Sequence, residues 1–549
     1  MNNAIFHMER PVNEHAMDYA PGCKERKTLN AELTRMSNEV IDIPLIIDGK
    51  EVRTGNTGKV IMPHDHQHVL ANYYIAGEKE VKMAIDAALK AHREWSTLSW
   101  VERVSISLKI ADLISKKYRF VMNASTMLGQ GKNAYQAEID AACETVDFLR
   151  YNAYFTSEIY KLQPASLPGV INRTEYRPLE GFIFTVSPFN FTAIGSNLNM
   201  APVVMGNTVV WKPSSTSLLS NYYLMKIYQE AGVPDGVINF IPGSGSLISK
   251  PVLGHRDFTG IHFTGSTRTF NGIWRSIAEN MQNYRSYPRI VGETGGKDFI
   301  FVHPSAGPQE VAVAIVRGAF EYQGQKCSAA SRSYIPESLW NDIKIRIGEM
   351  ISRITVGDVN EFSNFMNAVI DEKSFDNIMG YIDYTKKSKD AEVIFGGNGD
   401  KSKGYFVDPT VILTKDPHFK TMEEEIFGPV MTVYVYKDKD FDETLKICDQ
   451  TSPYALTGSV FARDRNALNH ACRILRYAAG NIYFNDKPTG AVVGQQPFGG
   501  ARSSGTNDKS GSFLNLLRWT SPRTIKETLI PPDEFTYPFM KEDRCHSVK

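Results

Sequence analysis

Cysteine is scarce in this chain of 549 residues: there are six, at positions 23, 143, 327, 448, 472 and 545, with no CxxC pair and no Cys/His cluster at zinc-ligand spacing. That excludes a disulfide scaffold or a structural zinc module, predicts no metal, and fits a reducing compartment. An excess of either charge is also missing, since 61 Lys and Arg stand against 61 Asp and Glu. A nucleic-acid binder carries a basic excess or a basic stripe, so that class is set aside. No segment approaches the ~18 consecutive apolar residues needed to span a bilayer, which sets aside a membrane partner. The opening, MNNAIFHMERPVNEHAMDYAPG, has neither the uninterrupted apolar stretch of a secretory signal nor the Arg/Ser-rich, acid-poor composition of an organellar transit peptide. Together these absences predict a cytoplasmic protein. Repeats, low-complexity tracts and long linkers are absent too, and the length with 42% hydrophobic residues suits two or more large domains.

What is present has a clear period. From Glu78 to about Tyr118 the pattern is helical, with Val81, Ile85 and Leu89 on one face and Lys82, Asp86 and Lys90 on the other. A second helical stretch, AEIDAACETVDFLRYNAYF, starts at Ala137. Beyond Gly181, short apolar runs alternate with helical spans: FIFTV (182–186), TVVW (208–211), VINFI (237–241), GIHF (260–263) and DFIFV (298–302) have strand length and β-branched or aromatic content. SSTSLLSNYYLMKIYQEAG between them offers serines to cap a helix, with Gly232 and Pro234 to end it. Such alternation predicts an α/β protein with a doubly wound parallel sheet, and its resumption from Asp298 to about Gly490 predicts a second such domain. The Pro- and turn-rich segment 163–181 reads as an arm or hairpin.

Three residues stand out for chemistry. Cys327, in EYQGQKCSAASRSYIP, has a glycine-containing approach and small neighbours; it is either a buried apolar filler or a nucleophile. Glu293, in GETGGKD, sits in a glycine-rich turn where a carboxylate can project into a cleft, or is simply a solvated turn acid. Asn190, in SPFNFT, follows the strand FIFTV, at the strand end where doubly wound sheets bind ligands. An amide there and the Cys327 N–H would make a two-donor oxyanion hole. GETGGK is not a phosphate loop, because Val291 stands where the first glycine belongs and Asp298 where Ser or Thr belongs. A GxGxxG fingerprint is also missing: PGSGSLIS has Ile248 at the third glycine.

In order and spacing, SPFNFT, WKPS, FTGST, GETGGK, GQKCS, GYFVDPTV, EEIFGPV and NDKPTG followed by QQPFGG resemble the aldehyde dehydrogenase superfamily, from about Leu45 to Arg518. GQGKNAYQAEIDAACE, TGAVVGQQPFGGARSSGTND and LRWTSPRTIKET resemble a narrower branch that oxidises glutamate 5-semialdehyde, and PVNE and YAPGCKER fit that branch's opening. The resemblance implies an aldehyde dehydrogenase-like fold with two doubly wound α/β domains and an oligomerisation arm. It would divide the chain into an NAD-binding domain (1–162 and 182–295), a catalytic domain (296–490), an arm and tail (163–181 and 519–549), and a return segment with the substrate loop (491–518). It implies an NAD-dependent enzyme of proline degradation, with Cys327 as nucleophile, Glu293 as general base and Asn190 in the oxyanion hole. Ser187, Lys212, Gly243, Ser266, Glu425 and Phe427 would hold NAD, the assignment of NAD resting on the narrower branch because Ser215 stands where many NAD-preferring relatives have glutamate. The substrate carboxylate would be held by Ser328 and the backbone of Gly490 and Ala491, its aliphatic chain by Phe191 and Phe498, and its ammonium group by Glu138. A homo-oligomer, dimeric or higher, and functional coupling to a separate proline dehydrogenase are further implications. Two alternatives stay open: another semialdehyde as substrate, of succinate or aminoadipate, and a non-catalytic NAD-binding member of the fold.

Overall fold

The computed structural model describes residues 6–541; the first five residues of the 1–162 segment and the last eight of the 519–549 segment, Cys545 among them, lie outside the described residues. Two seven-stranded sheets organise the molecule. The first contains β1 (Leu45–Ile47), β2 (Lys50–Val52), β3 (Phe182–Val186), β4 (Thr208–Lys212), β5 (Ile238–Phe240), β6 (Phe258–Thr264) and β7 (Arg289–Glu293), in spatial order β7-β6-β3-β4-β5-β1-β2. The second contains β8 (Asp298–Val302), β9 (Ala330–Pro336), β10 (Ala391–Phe395), β11 (Thr410–Thr414), β12 (Val430–Tyr436), β13 (Thr457–Phe461) and β14 (Asn481–Phe484), in order β10-β11-β12-β9-β8-β13-β14. β3 to β7 are parallel and carry the antiparallel β1–β2 hairpin at one edge; the second sheet is parallel except for its edge strand β10.

This is the doubly wound architecture that the strand–helix alternation predicts. A parallel strand covered on both faces reads as a continuous apolar run, and FIFTV is such a run: Phe182, Ile183 and Phe184 have no exposed surface. Burying each phenylalanine contributes roughly 2–3 kcal/mol. In the first sheet the chain order reverses at β3, flanked by β4 on one side and β6 on the other. A crevice therefore opens beyond the carboxyl end of β3, where SPFN follows.

The single helical reading of 78–118 resolves into two α-helices, Glu78–Trp95 and Trp100–Leu113, and a π-helical turn, Ile114–Tyr118. The break is local chemistry: the Ser99 hydroxyl accepts from the Glu102 N–H and the Glu102 carboxylate accepts from the Ser99 N–H (2.9 Å), a capping box that restarts the helix. The stretch from Ala137 is not uniform either. Residues Glu138–Glu144 form a π-helical turn before the α-helix Thr145–Tyr160. Segment 163–181 contains Val170–Arg177, which pairs antiparallel with Ser521–Thr528 in a two-stranded ribbon separate from both large sheets. No helix among the described residues is long and apolar enough to cross a membrane.

Candidate active site

A cavity of about 1090 Å³ opens at the carboxyl end of β3 and is lined by both sheets' loops. One wall comes from β3 and β4 through Ser187, Asn190 and Lys212, and another from the starts of the helices Gly245–Leu253 and Thr267–Glu279. Ser266 caps the second helix, its hydroxyl accepting from the Thr269 N–H at 3.2 Å. Two helix starts facing one cavity present unpaired N–H groups and positive dipole ends, a setting for an anion such as a pyrophosphate. The third wall carries Cys327, Glu425 and Phe427. Burial pulls the Lys212 ammonium below its ordinary pKa. These groups fit a dinucleotide: a cation beside the hydroxyls of Ser187 and Ser214, helix starts for phosphate, and a carboxylate near the nucleophile for a ribose.

Cys327 ends a tightly held approach. Tyr322 and Gln323 adopt left-handed backbone conformations (φ 52° and 54°), strained for non-glycine residues. The surroundings hold them there: the Gln323 amide donates to the carbonyls of Gly131 and Ala368, and the Tyr322 hydroxyl donates to Gln130 O. One Asn190 amide hydrogen is donated to Gln325 O at 3.0 Å, which ties SPFN to the cysteine turn and leaves the second hydrogen available. Burial, and after it the charges of Glu293, Asp298 and Glu425, push the Cys327 thiol well above its ordinary range. The resting group is a neutral thiol, so reaction needs a base. Glu293, at the end of β7, is pushed up to about 7 by burial, with Lys509 acting the other way, and its Oε1 has no partner among the described residues. It lines a small adjoining cavity of about 20 Å³ together with Phe498.

The glycine pair Gly295–Gly296 threads between the two halves of the site. A Cβ on Gly295 would lie 2.3 Å from Glu425 Oε2, and one on Gly296 would lie 2.2 Å from Cys327 O. The Gly296 N–H donates to Glu425 Oε1 at 2.8 Å. Burial pushes Glu425 up to about 7, against the effects of that N–H and Lys297.

On the other side of Cys327, the Ser328 hydroxyl is 2.8 Å from the Thr489 hydroxyl, and Lys487 Nζ donates to Thr489 O at 2.9 Å. Gly490 follows with φ 96°, shaping a turn that presents backbone N–H groups. Phe191 stands edge-on to Tyr322, with Lys132 Nζ 4.0 Å over its ring. Ser328, Gly490, Ala491 and Phe191 lie off the wall of the large cavity and reach it through Cys327–Ser328 and Asn190–Phe191.

Two residues singled out from the sequence stand elsewhere. Gly243 is packed against Ala76, and its neighbours Gly245 and Ser246 line the cavity instead. Glu138 is fully buried and does not line the cavity: it accepts from Tyr19 OH, Asn123 Nδ2, the Met17 N–H and the Arg119 guanidinium. A carboxylate already engaged by these donors is a structural ion-pair partner, so its role toward an ammonium group is withdrawn. The sequence reading passed over Glu144 in the same motif. Glu144 is half-buried, and burial, then the Asp140 charge, raises its carboxyl well above the ordinary range, with Glu293 among the charges that act on it. The π turn explains the miss, because it rotates Asp140 and Glu144 away from the positions that an α-helical projection assigns. Asp140 pairs with buried Lys132 (2.7 Å) and accepts from the N–H groups of Thr192 and Ala193, capping the helix Thr192–Val204 directly after SPFNF. Glu321 was also missed. Its buried carboxylate meets Lys326, Lys487 and Arg317; burial acts to raise its pKa, yet these cations hold it down at about 2.

Residues 51–525 match the model of the Aldehyde dehydrogenase family. The chain is 54% identical over 533 residues to the mitochondrial delta-1-pyrroline-5-carboxylate dehydrogenase of Dictyostelium discoideum, covering 96% of both chains. It is 46% identical over 531 residues to the mitochondrial human protein of the same name, covering 96% of this chain and 94% of that one. The crystal structure of the Mycobacterium tuberculosis delta-pyrroline-5-carboxylate dehydrogenase bound with NAD superposes with a TM-score of 0.95 at 46% identity, covering 98% of this chain and all of that one. The mitochondrial relatives overturn the expectation of a cytoplasmic protein. That expectation rested on the composition of the first 22 residues, and the lack of an Arg/Ser-rich run there is not a signal for any compartment.

Proposed function

The chain belongs to the aldehyde dehydrogenase family, and from that premise we propose that it oxidises L-glutamate 5-semialdehyde, the open form of 1-pyrroline-5-carboxylate, to L-glutamate with NAD, the second step of proline degradation. The similarity to pyrroline-5-carboxylate dehydrogenases over nearly the whole chain, one of them solved with NAD, supports the substrate and cofactor. The observation that carries the reading is the arrangement around Cys327: the thiol lines the dinucleotide cavity, while the next residue, Ser328, is bonded to the turn at Thr489–Gly490.

Glu293 takes the thiol proton, and the thiolate attacks the aldehyde carbon to form a C–S bond. The free Asn190 amide hydrogen and the Cys327 N–H stabilise the oxygen that gains charge, a contribution of a few kcal/mol per donor. NAD, held by Lys212, Ser187, Ser266, Glu425 and Phe427, supplies the hydride acceptor. The resulting thioester stays on Cys327 while Glu293, after losing its first proton to solvent, takes a proton from water; that water attacks the acyl carbon and the C–S bond breaks. The sum is aldehyde, NAD and water giving acid, NADH and a proton.

The substrate brings two charges that must both be satisfied. Ser328 and the N–H groups of Gly490 and Ala491 take the carboxylate, aided by the cations gathered on Glu321. Phe191 and Phe498 flank the chain, and Glu144 takes the ammonium group. We divide the molecule as the sequence suggested, with 1–162 and 182–295 binding NAD, 296–490 carrying the cysteine, and 491–518 returning to the cofactor domain as the substrate loop. The arm and tail segments 163–181 and 519–549 join two or more copies, and a separate proline dehydrogenase supplies the substrate. NADH formation from 1-pyrroline-5-carboxylate, compared with the semialdehydes of succinate and aminoadipate, is the test. Preference for the first, lost in Cys327→Ala, is the expected outcome; equal kcat/KM for all three would remove the substrate assignment.

A further inference from the structure

The motif PVNE near the start of the chain takes no part in the chemistry above, yet its residues reach the substrate loop. Asn13 is half-buried and spends its whole side chain on three partners: Nδ2 donates to Asp147 Oδ2 and to Val493 O, both at 2.8 Å, and Oδ1 accepts from Gln495 Nε2 at 2.9 Å. Around this knot, Arg10 donates to Gly494 O (2.7 Å), the Tyr151 hydroxyl donates to Pro11 O (2.8 Å), and the Glu14 N–H donates to Asp147 Oδ1 (2.7 Å). Val493 itself is buried against Phe148, Tyr151 and Ala193. The segment thus grips two elements at once. One is the loop 492–495, which directly follows the turn at 489–491. The other is the first turn of the helix Thr145–Tyr160, which directly follows Glu144.

These are the two elements to which the substrate's opposite charges were assigned, and the inference rests on that reading. A substrate whose carboxylate and ammonium groups sit on one carbon has a fixed separation between its charges, so its binding depends on the distance between the two receiving elements. A simple aliphatic aldehyde makes no such demand. We propose that residues 10–14 are a specificity strap, with Asn13 as its positioning residue, which fixes the spacing between the 489–491 turn and the Glu144 end of the helix Thr145–Tyr160. Hydrogen bonds to three partners on two separate elements, Asp147 on the helix and Val493 and Gln495 in the loop, make Asn13 an alignment device rather than a space filler, since every polar atom of its side chain is directed at one of them.

Kinetics with two substrates and hydrogen exchange test the strap. Asn13→Ala is expected to raise the KM for glutamate semialdehyde by about tenfold or more, as misplacement of a binding element does, with the KM for propanal and for NAD unchanged. Exchange of the amides in 489–496 is expected to accelerate. Asn13→Asp, which keeps the shape but loses both donated bonds, should behave like the alanine variant; rescue by Asp would show a space-filling role and overturn the proposal. So would equal KM changes for both aldehydes, or no change. If Asn13→Ala does not fold, Gln495→Ala removes a single bond of the knot and should shift KM in the same direction by a smaller factor; an unchanged KM there overturns the strap. Should the unaltered protein fail to oxidise glutamate semialdehyde, the proposed function falls on its own, and unaltered exchange at 489–496 in Asn13→Ala would still decide against the strap.

Discussion

Burial raises Glu293 to about 7, and as the proposed base its ionisation is expected to govern how turnover depends on pH. Raised to about 7, it is largely protonated below that pH and cannot take a proton from Cys327 or from water; above it, the carboxylate form dominates. Turnover is therefore expected to rise as pH increases through about 7 and to fall as pH drops through the same range. The Cys327 thiol, held neutral by burial and by the carboxylates around it, adds to the need for this base. In Glu293→Gln, steady-state turnover should fall by roughly 10²–10⁴-fold, the usual contribution of a positioned general base, and the rise near pH 7 should disappear. A pH series of kcat for both proteins checks this, and an unchanged profile in the glutamine variant would assign the ionisation to another group.

At the scale of the element, the π turn Glu138–Glu144 does several things at once. It buries Glu138 against Arg119, turns Asp140 onto the start of the helix Thr192–Val204, and ends at Glu144, on which the Asp140 charge acts. Asp140→Asn removes the charge that pairs with fully buried Lys132 and weakens the cap after Asn190 and Phe191. Leaving a buried cation unpaired costs about 3–5 kcal/mol, so chemical denaturation should show a loss of that order. Asp140→Leu, which also leaves Lys132 alone, should be no better; a loss under about 1 kcal/mol in either would mean that Lys132 deprotonates instead.

The same turn marks where reading the sequence succeeds and where it stops. Cys327, Asn190 and Glu293 can be proposed from the sequence because their motifs, GQKCS, SPFNFT and GETGGKD, come in an order and spacing that is itself informative. The strands were visible because parallel strands covered on both faces are uninterrupted apolar runs, as Phe182–Val186 is. Glu138 and Glu144 were not separable, because both lie in one acidic helical stretch and only the extra residue of a π turn decides which one faces inward. Gly243 was misplaced for a related reason: glycine serves close packing against Ala76 as readily as close approach to a ligand, and the letters do not tell the two apart. Lys487 beside Glu321 and the partners of Asn13 come from segments far apart in the chain, a kind of information that local pattern does not hold.

At the scale of the molecule, the two sheets meet at one cavity while the ribbon of Val170–Arg177 and Ser521–Thr528 stands apart from both. Its far end leads into a tail with Leu529, Ile530, Phe535 and Phe539 exposed, the last three more than 80%. Exposed apolar residues of this kind are what a second copy would cover in the homo-oligomer proposed above. Light scattering is expected to give a dimer or larger for the full chain, and Ile530→Asp combined with Phe535→Asp should move the mass toward a single chain. A monomeric full-length protein would instead make the ribbon a surface hairpin.

The strap also places the substrate loop in time. Arg10 and Gly494 are 484 positions apart, and Asn13 is 482 from Gln495. A ribosome adding roughly 5–20 residues per second needs about half a minute to a minute and a half to cover that separation, so residues 10–14 emerge long before the loop they hold. Until then Asp147, Asn13 and Arg10 have no loop to grip, and contacts of such long range are among the slowest to form. The dinucleotide cavity, built from residues between 186 and 427, can take shape first. Selectivity for the doubly charged substrate then follows the cofactor cavity as the nascent chain folds.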